Sequence, residues 1–229
     1  MTLVRATHTR LVSRNFYPAF VTAVNARLSP LGFRKGTKAL GIWMRPVASR
    51  ISAWAGVAAA WYPENDGSLE VRVTVGVRQD VIESALSSLW PELADHTGAT
   101  TINATVAINL QLLRPAAMQG VVYVNGPPFI EPAASTVADQ IVEYGLPFAS
   151  SLSTLPAVID ALRTYPFMSA TDYRLPVALY LNGQRDAAAE ALDAARERVA
   201  VMKGPIKENY EAFASEFFSR MATLPVQAE

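Results

Sequence analysis

Residues 69 to 77, LEVRVTVGV, decide what kind of fold this chain adopts. Leu69, Val71, Val73, Val75 and Val77 take every second position, and Glu70, Arg72 and Thr74 stand between them. A period of two belongs to a β-strand with one side in a core and the other toward water. Such half-buried alternation is typical of an antiparallel sheet.

Upstream, PENDGS (63 to 68) is a dense turn signal, and RISAWAGVAAAWY (50 to 62) puts Ile51, Ala53, Ala55, Val57, Ala59 and Trp61 on one face. The short loop between the two runs predicts a hairpin. KALGIWMR (38 to 45) reads as a further strand that ends at Pro46. Before it, Phe16, Phe20, Val24, Leu28 and Leu31 are spaced as one stripe of an amphipathic helix. Pro30 ends that helix near Leu28. GFRKGT (32 to 37) is then a turn in which Gly32 and Gly36 are free to take positive φ.

Downstream, QDVIESALSSLWPELAD (79 to 95) predicts a helix capped by Asp80 and interrupted by Pro91. TINATVAINLQLLR (101 to 114) predicts the clearest strand. It sets Ile102, Ala104, Val106, Ile108, Leu110 and Leu112 against Thr101, Asn103, Thr105, Asn109 and Gln111. GVVYVNGPP (120 to 128) adds a short strand. After Pro132 the pattern is helical. STVADQIVEYG has Ser135 or Thr136 as cap and Gly145 as stop. LSTLPAVIDALRT tolerates Pro156 in its first turn. Two helices follow, joined at Asn182-Gly183, the second with Ala188, Leu192, Ala195 and Val199 as its stripe. The last helix starts at Pro205 and aligns Tyr210, Phe213, Phe217 and Met221. The pair about Asn182-Gly183 resembles one tetratricopeptide-like hairpin, but a single hairpin is not an array. These segments predict an α+β protein: an N-terminal helix on an antiparallel sheet of four or five strands, then a helical C-terminal half. The expected division is 1–132 for the α/antiparallel-β part and 133–229 for a helical region packed on it.

Composition narrows the chemistry. Hydrophobic residues make up 51% of the 229 and charged residues 17%, enough apolar material for a core. There is no cysteine, which removes disulfides, thiol nucleophiles and thiolate metal sites. No apolar run reaches the length of a membrane span, and a cytoplasmic protein with no membrane association is expected. Net charge is zero but unevenly spread. The first 50 residues hold nine Arg or Lys and no acid, and the rest hold eleven against twenty acids. Such asymmetry marks a surface for an anionic partner, or two parts of one fold that attract each other. The opening MTLVRATHTRLVSRNF also has the composition of a transit peptide, though the chain runs straight on into a folded pattern.

The order of a helix ending in LGFRKGT, an aromatic-bearing strand and GSLEVRVTVGV resembles an uncharacterised bacterial family known only as a domain of unknown function. EYGLPFASSLSTLPAVIDAL and the pair LPVALYLNGQRDAAAEAL continue the resemblance, which spans about residues 15 to 200. It carries no activity and no catalytic residues. By analogy it implies an accessory or toxin-immunity protein.

Catalytic signatures are sparse. The two histidines, His8 and His96, lie far apart without paired carboxylates, so neither a metal centre nor a Ser-His-Asp arrangement is expected. Asp186, Glu190, Asp193 and Glu197 alternate with arginines at surface-pair spacing. GFRKG lacks the spacing of a phosphate-cradling loop. No catalytic residue, metal or cofactor is assigned. Arg34 and Lys35 flank Phe33, with Trp43 and Trp54 on nearby strands, so stacking of bases between cations is one option. The plainer reading tucks Phe33 under the sheet and leaves the cations solvated or paired with later acids.

The wet sheet face would offer Trp54, Arg72, Asn103 and Asn109, with Thr74, Thr105 and Gln111 beside them. The sequence therefore points to a non-catalytic bacterial binding protein, of immunity or accessory type, that holds an acidic protein through Arg34, Lys35, Trp54, Arg72, Asn103 and Asn109. Nucleic acid is not the expected partner, and the oligomeric state stays open. The alternative is a small-molecule or nucleic-acid-processing enzyme with its site on the polar sheet face.

Overall fold

The computed structural model describes residues 16–36, 41–61, 68–91, 104–116, 121–165, 170–202 and 204–224. The fold is α+β: an N-terminal helix, an antiparallel sheet and a helical C-terminal half. Strands run in the order β1 (Arg34–Lys35), β2 (Ile42–Ala48), β3 (Ile51–Trp61), β4 (Leu69–Gln79), β5 (Val106–Asn109), and β6 (Val122–Val124) also pairs with β4. Contacts gather into two compact units, neither continuous in sequence. One comprises Met1–Val77 with Ala107–Ser151, the other Arg78–Val106 with Leu152–Glu229.

The first unit begins with α1 (residues 16–28). Its Phe20, Val24 and Leu28 are buried, as the four-residue spacing predicts, whereas Leu31 is exposed. The 3-10 turn Ser29–Leu31 follows, and Gly32 closes it at φ 85°, a left-handed conformation that glycine adopts without a Cβ clash. β2 extends through Pro46 to Ala48. Proline is tolerated there because β1 is paired only as far as Met44, so the missing N–H breaks no bond to a neighbouring strand on that side. In β4 the odd positions Leu69, Val71, Val73, Val75 and Val77 are all buried, and Ile51, Ala53, Ala55 and Val57 match them on β3.

Both helices of this unit pack on that apolar side. The Tyr17 hydroxyl of α1 donates to the Val57 carbonyl at 2.6 Å, and Trp43 Nε1 donates to Asn25 Oδ1 at 3.1 Å. The other helix, α3, is α-helical over Ile130–Gln140, π-helical over Ile141–Gly145 and α-helical again over Leu146–Ser151. Two expectations are overturned here. Ser135 and Thr136 are interior residues that bond Asp139 and the Pro132 carbonyl, and the helix starts earlier, after the 3-10 turn Pro127–Phe129. Gly145 does not stop the helix. A Cβ there would lie 2.8 Å from Val75 Cγ1, so glycine lets the π turn approach the sheet.

The second unit is mostly helical: α2 (Asp80–Leu89), α4 (Leu155–Thr164), α5 (Thr171–Leu181), α6 (Arg185–Ala200) and α7 (Pro205–Met221). Gln79 rather than Asp80 caps α2, its Oε1 accepting from Val81 N at 2.6 Å. β4 stays extended through Gln79, so the helix starts one residue before the expected cap could act. Thr154 caps α4 with Pro156 in the first turn, and Gly183 at φ 76° makes the break between α5 and α6. The stripes Ala188, Leu192, Ala195, Val199 and Tyr210, Phe213, Phe217, Met221 are buried. Trp90 stacks on Phe217 at 5.9 Å and tilts against Phe213 at 4.7 Å.

The long strand expected over 101 to 114 is much shorter. β5 covers only Val106–Asn109, and the chain then coils into a 3-10 turn, Leu110–Leu113, leaving Leu112 68% exposed. Asn109 starts that turn by accepting Gln111 N on its Oδ1 at 3.0 Å, an Asx-type bond that competes with the strand ladder. Thr105, expected on the wet side, is fully buried.

Candidate partner-binding face

With α1 and α3 on one side of the first unit's sheet, the opposite side is defined by the even positions of its long strands. Register places Arg34 of β1 opposite Met44 of β2, and Met44 opposite Trp54 of β3. Directly opposed residues of an antiparallel pair share a face, so a cation, a thioether and an indole form one row across three strands. On the same face, β4 contributes Glu70, Arg72 and Thr74, and β6 places Tyr123 opposite Glu70. Arg34, Arg72 and Tyr123 are exposed, while Met44, Trp54, Glu70 and Thr74 are half-buried. Arg72 Nε donates to Glu70 Oε1 at 2.8 Å.

Trp54 lies flat. A Cβ built on Gly56 would fall 2.2 Å from the far edge of its indole ring, so the ring lies along β3 over the glycine two residues on. Glycine at 56 is what allows this posture. A flat aromatic ring beside Met44, with a guanidinium across the row, is suited to stacking and to cation–π contact.

Lys35 lies on the other side of β1 by alternation and is exposed. Gly36 N donates to the Ile42 carbonyl at 2.9 Å, which makes 36 and 42 a hydrogen-bonded pair. Lys35 opposite Trp43 is therefore a non-bonded pair, with its backbone N–H and C=O directed outward. Phe33 N, which alternation would also send outward, donates to the Leu28 carbonyl at 3.3 Å. This edge offers too little free backbone to recruit a strand, and its two cations discourage edge pairing.

Among the sequence-predicted residues, Arg34, Trp54 and Arg72 come together on one face. Lys35 is at the same sheet edge but on the opposite side of β1, so it does not join them. Asn109 is half-buried and its side chain caps a 3-10 turn. Asn103 lies outside the described residues, as do His8, His96 and the N-terminal fifteen residues. Phe33 and Trp43 are buried, at 2% and 0% exposure, so neither is a stacking platform. Of the cations in the first 50 residues, Arg27 meets Glu131 at 3.2 Å, an exposed pair.

Sequence reading missed a second cluster, which lies in the helical unit. Arg174 of α5 and Glu83 of α2 form a bidentate pair, Nε to Oε1 at 2.8 Å and Nη2 to Oε2 at 2.9 Å. Their side chains are 3% and 0% exposed. Thr105 Oγ1 donates to Glu83 Oε1 at 2.6 Å and accepts Gln79 N at 2.9 Å. The carboxylate thus meets three donors, an arrangement that locks groups in place. No local signal announces it, because the partners stand 91 residues apart. Among the described residues, no three His, Asp or Glu side chains gather as metal ligands would. No single helix among them is long and apolar enough to cross a membrane.

Compared with protein-family models, with curated proteins and with solved structures, the chain matches none.

Proposed function

We propose that this protein is a non-catalytic binding protein whose open sheet face holds a protein partner. The observation that carries the reading is the row Arg34, Met44, Trp54, continued by Arg72 and Tyr123 on the side opposite both helices of the unit. Polar, aromatic and charged groups share that face, and among the described residues its carboxylate, Glu70, pairs with Arg72 rather than with a second acid or base of the kind hydrolysis or group transfer requires. The buried Glu83–Arg174 cluster has its carboxylate satisfied by three donors, which suits a structural role. The resemblance noted in the sequence adds the biological frame of a cytoplasmic immunity or accessory factor of bacterial type.

The test is affinity capture from the cell of origin with the wild-type chain and with the double variant Arg34→Glu, Lys35→Glu. A partner recovered by the wild type should be lost with the variant, while the melting temperature moves by less than about 2 °C, as expected for exposed positions. A variant that unfolds would assign these residues to structure instead. Equal recovery of the partner by both chains would remove this face from the function.

A further inference from the structure

We propose that Asn125 is a self-modifying site: in the folded chain its side-chain amide is displaced by the Gly126 backbone nitrogen, leaving an aspartate or isoaspartate between β6 and α3.

Two asparagines in the chain precede a glycine, Asn125 and Asn182. A following glycine has no Cβ to hinder its nitrogen, so the two dipeptides start with the same intrinsic reactivity. The fold treats them differently. Asn182 is half-buried in the turn between α5 and α6. Its N–H donates to the Ala178 carbonyl and the Gly183 N–H donates to the Tyr180 carbonyl, both at 3.0 Å. The nitrogen that would attack is already engaged, so reaction there has to wait for local opening of the hairpin.

Asn125 is exposed just past β6 and belongs to no helix or strand. The Gly126 carbonyl accepts the Phe129 N–H at 3.0 Å. Among the described residues, neither the Gly126 N–H nor the Asn125 side chain has a hydrogen-bond partner. Gly126 is buried, but the attack is between adjacent residues, so that burial does not shield it.

In the first step the Gly126 nitrogen gives its proton to solvent and bonds to the side-chain carbonyl carbon of Asn125. The bond from that carbon to the amide nitrogen breaks, and ammonia leaves. Water then opens the cyclic imide at one of its two carbonyls. Opening at the side-chain carbonyl gives aspartate, and opening at the main-chain carbonyl gives isoaspartate. The net change is amide plus water to carboxylate plus ammonium, with no electron transfer. Either product adds a negative charge two residues beyond Tyr123. Isoaspartate also lengthens the main chain by one carbon between buried Val124 and the 3-10 turn Pro127–Phe129 that leads into α3. The end of the open face that carries Tyr123 is thus altered with time and without an enzyme.

The test incubates the full chain in mildly alkaline buffer, native and in denaturant. Peptide mass spectrometry then follows both asparagines, with aspartate and isoaspartate separated. In the native chain Asn125 should convert at least about 5-fold faster than Asn182, which must first open. In denaturant the two rates should converge. Isoaspartate should be the larger product, the mark of the imide. Asn125→Gln, whose longer side chain closes the ring poorly, should stop the acidic isoform of the native protein seen on charge separation. A smaller native ratio, an acidic isoform that persists in Asn125→Gln, or aspartate without isoaspartate would each overturn the proposal. Asn182 remaining slow in denaturant would assign the difference to local sequence and overturn it as well.

Discussion

At Gly41 two constraints meet. Its φ is +80°, and a Cβ there would fall 2.5 Å from the Val57 carbonyl oxygen and 2.6 Å from the Tyr17 hydroxyl. Gly41→Ala should therefore lower stability by about 2 kcal/mol or more, combining left-handed strain with displacement of the Tyr17–Val57 bond. Tyr17→Phe should cost only about 1 kcal/mol, and denaturant titration separates the two. At Glu83 the effect is larger. Glu83→Gln leaves the Arg174 guanidinium buried without its counter-charge, a loss of about 3–5 kcal/mol, or roughly 10 °C in melting temperature for a chain of this size. A shift under about 2 °C would mean that water reaches the pair. The tyrosines give a pH signature. Burial raises the Tyr17, Tyr173 and Tyr210 phenols above the ordinary value of 10.0, and the Asp172 carboxylate adds to the rise at Tyr173 and Tyr210. A raised folded pKa means the folded state keeps its proton longer than the unfolded chain. The associated stability is complete below pH 10 and is lost as pH climbs from there through the folded values. Alkaline unfolding followed by tyrosinate absorbance should thus begin above pH 10. Tyr210→Phe should lose about 1 kcal/mol at pH 7, through its bond to the Leu192 carbonyl, and should flatten the alkaline limb.

Elements were legible where periodicity had a single interpretation. LEVRVTVGV is a strand because nothing local competes with its alternation, and the stripes of α6 and α7 are buried residue for residue. Reading failed where a side chain offered the backbone another bond. Asn109 turned the expected strand into a 3-10 turn, and Gln79 took the cap assigned to Asp80. Gly145 failed for a different reason. Within its own segment it has the signature of a helix stop, and only the Val75 side chain from β4 shows that the missing Cβ serves helix-on-sheet packing. That packing predicts a suppressor. Gly145→Ala forces a methyl to within 2.8 Å of Val75 Cγ1 and should destabilise by about 1–3 kcal/mol, the usual range for overpacking. Val75→Ala alone opens a cavity and should also destabilise. In the double variant the new methyl gains room, so the combined loss should fall short of the sum of the two singles. Strict additivity by chemical denaturation would show that α3 does not press on Val75.

For the whole molecule, charge asymmetry was plain in the composition, and one of its outlets, Arg27 to Glu131, joins the basic start to a later acid within the first unit. The candidate face was half legible. Trp54 and Arg72 were named from alternation and Arg34 from a basic segment read as a turn, which the structure makes the short strand β1; their row depends on a register that alternation cannot supply. The composition of the helical unit was hidden, because what ties its segments together is long in sequence. Glu83 finds Arg174, Trp90 finds Phe213 and Phe217, and Arg220 donates to the Leu89 carbonyl. Residues 152–229 include four helices yet lack every one of those upstream partners. A fragment of 152–229 alone would take the Glu83 carboxylate from Arg174 and strip the Phe213–Phe217 surface of its indole, with both losses falling in its core. Such a fragment should be helical by circular dichroism yet melt without a cooperative transition and bind a hydrophobic dye, as loosely packed states do. Supplying residues 78–106 on a covalent tether should restore a sharp transition and a near-ultraviolet signal from Trp90. If 152–229 melts sharply by itself, the Glu83–Arg174 pair and the Trp90 stack are additions to a self-sufficient bundle, and the large cost assigned to Glu83→Gln would have to be abandoned with them.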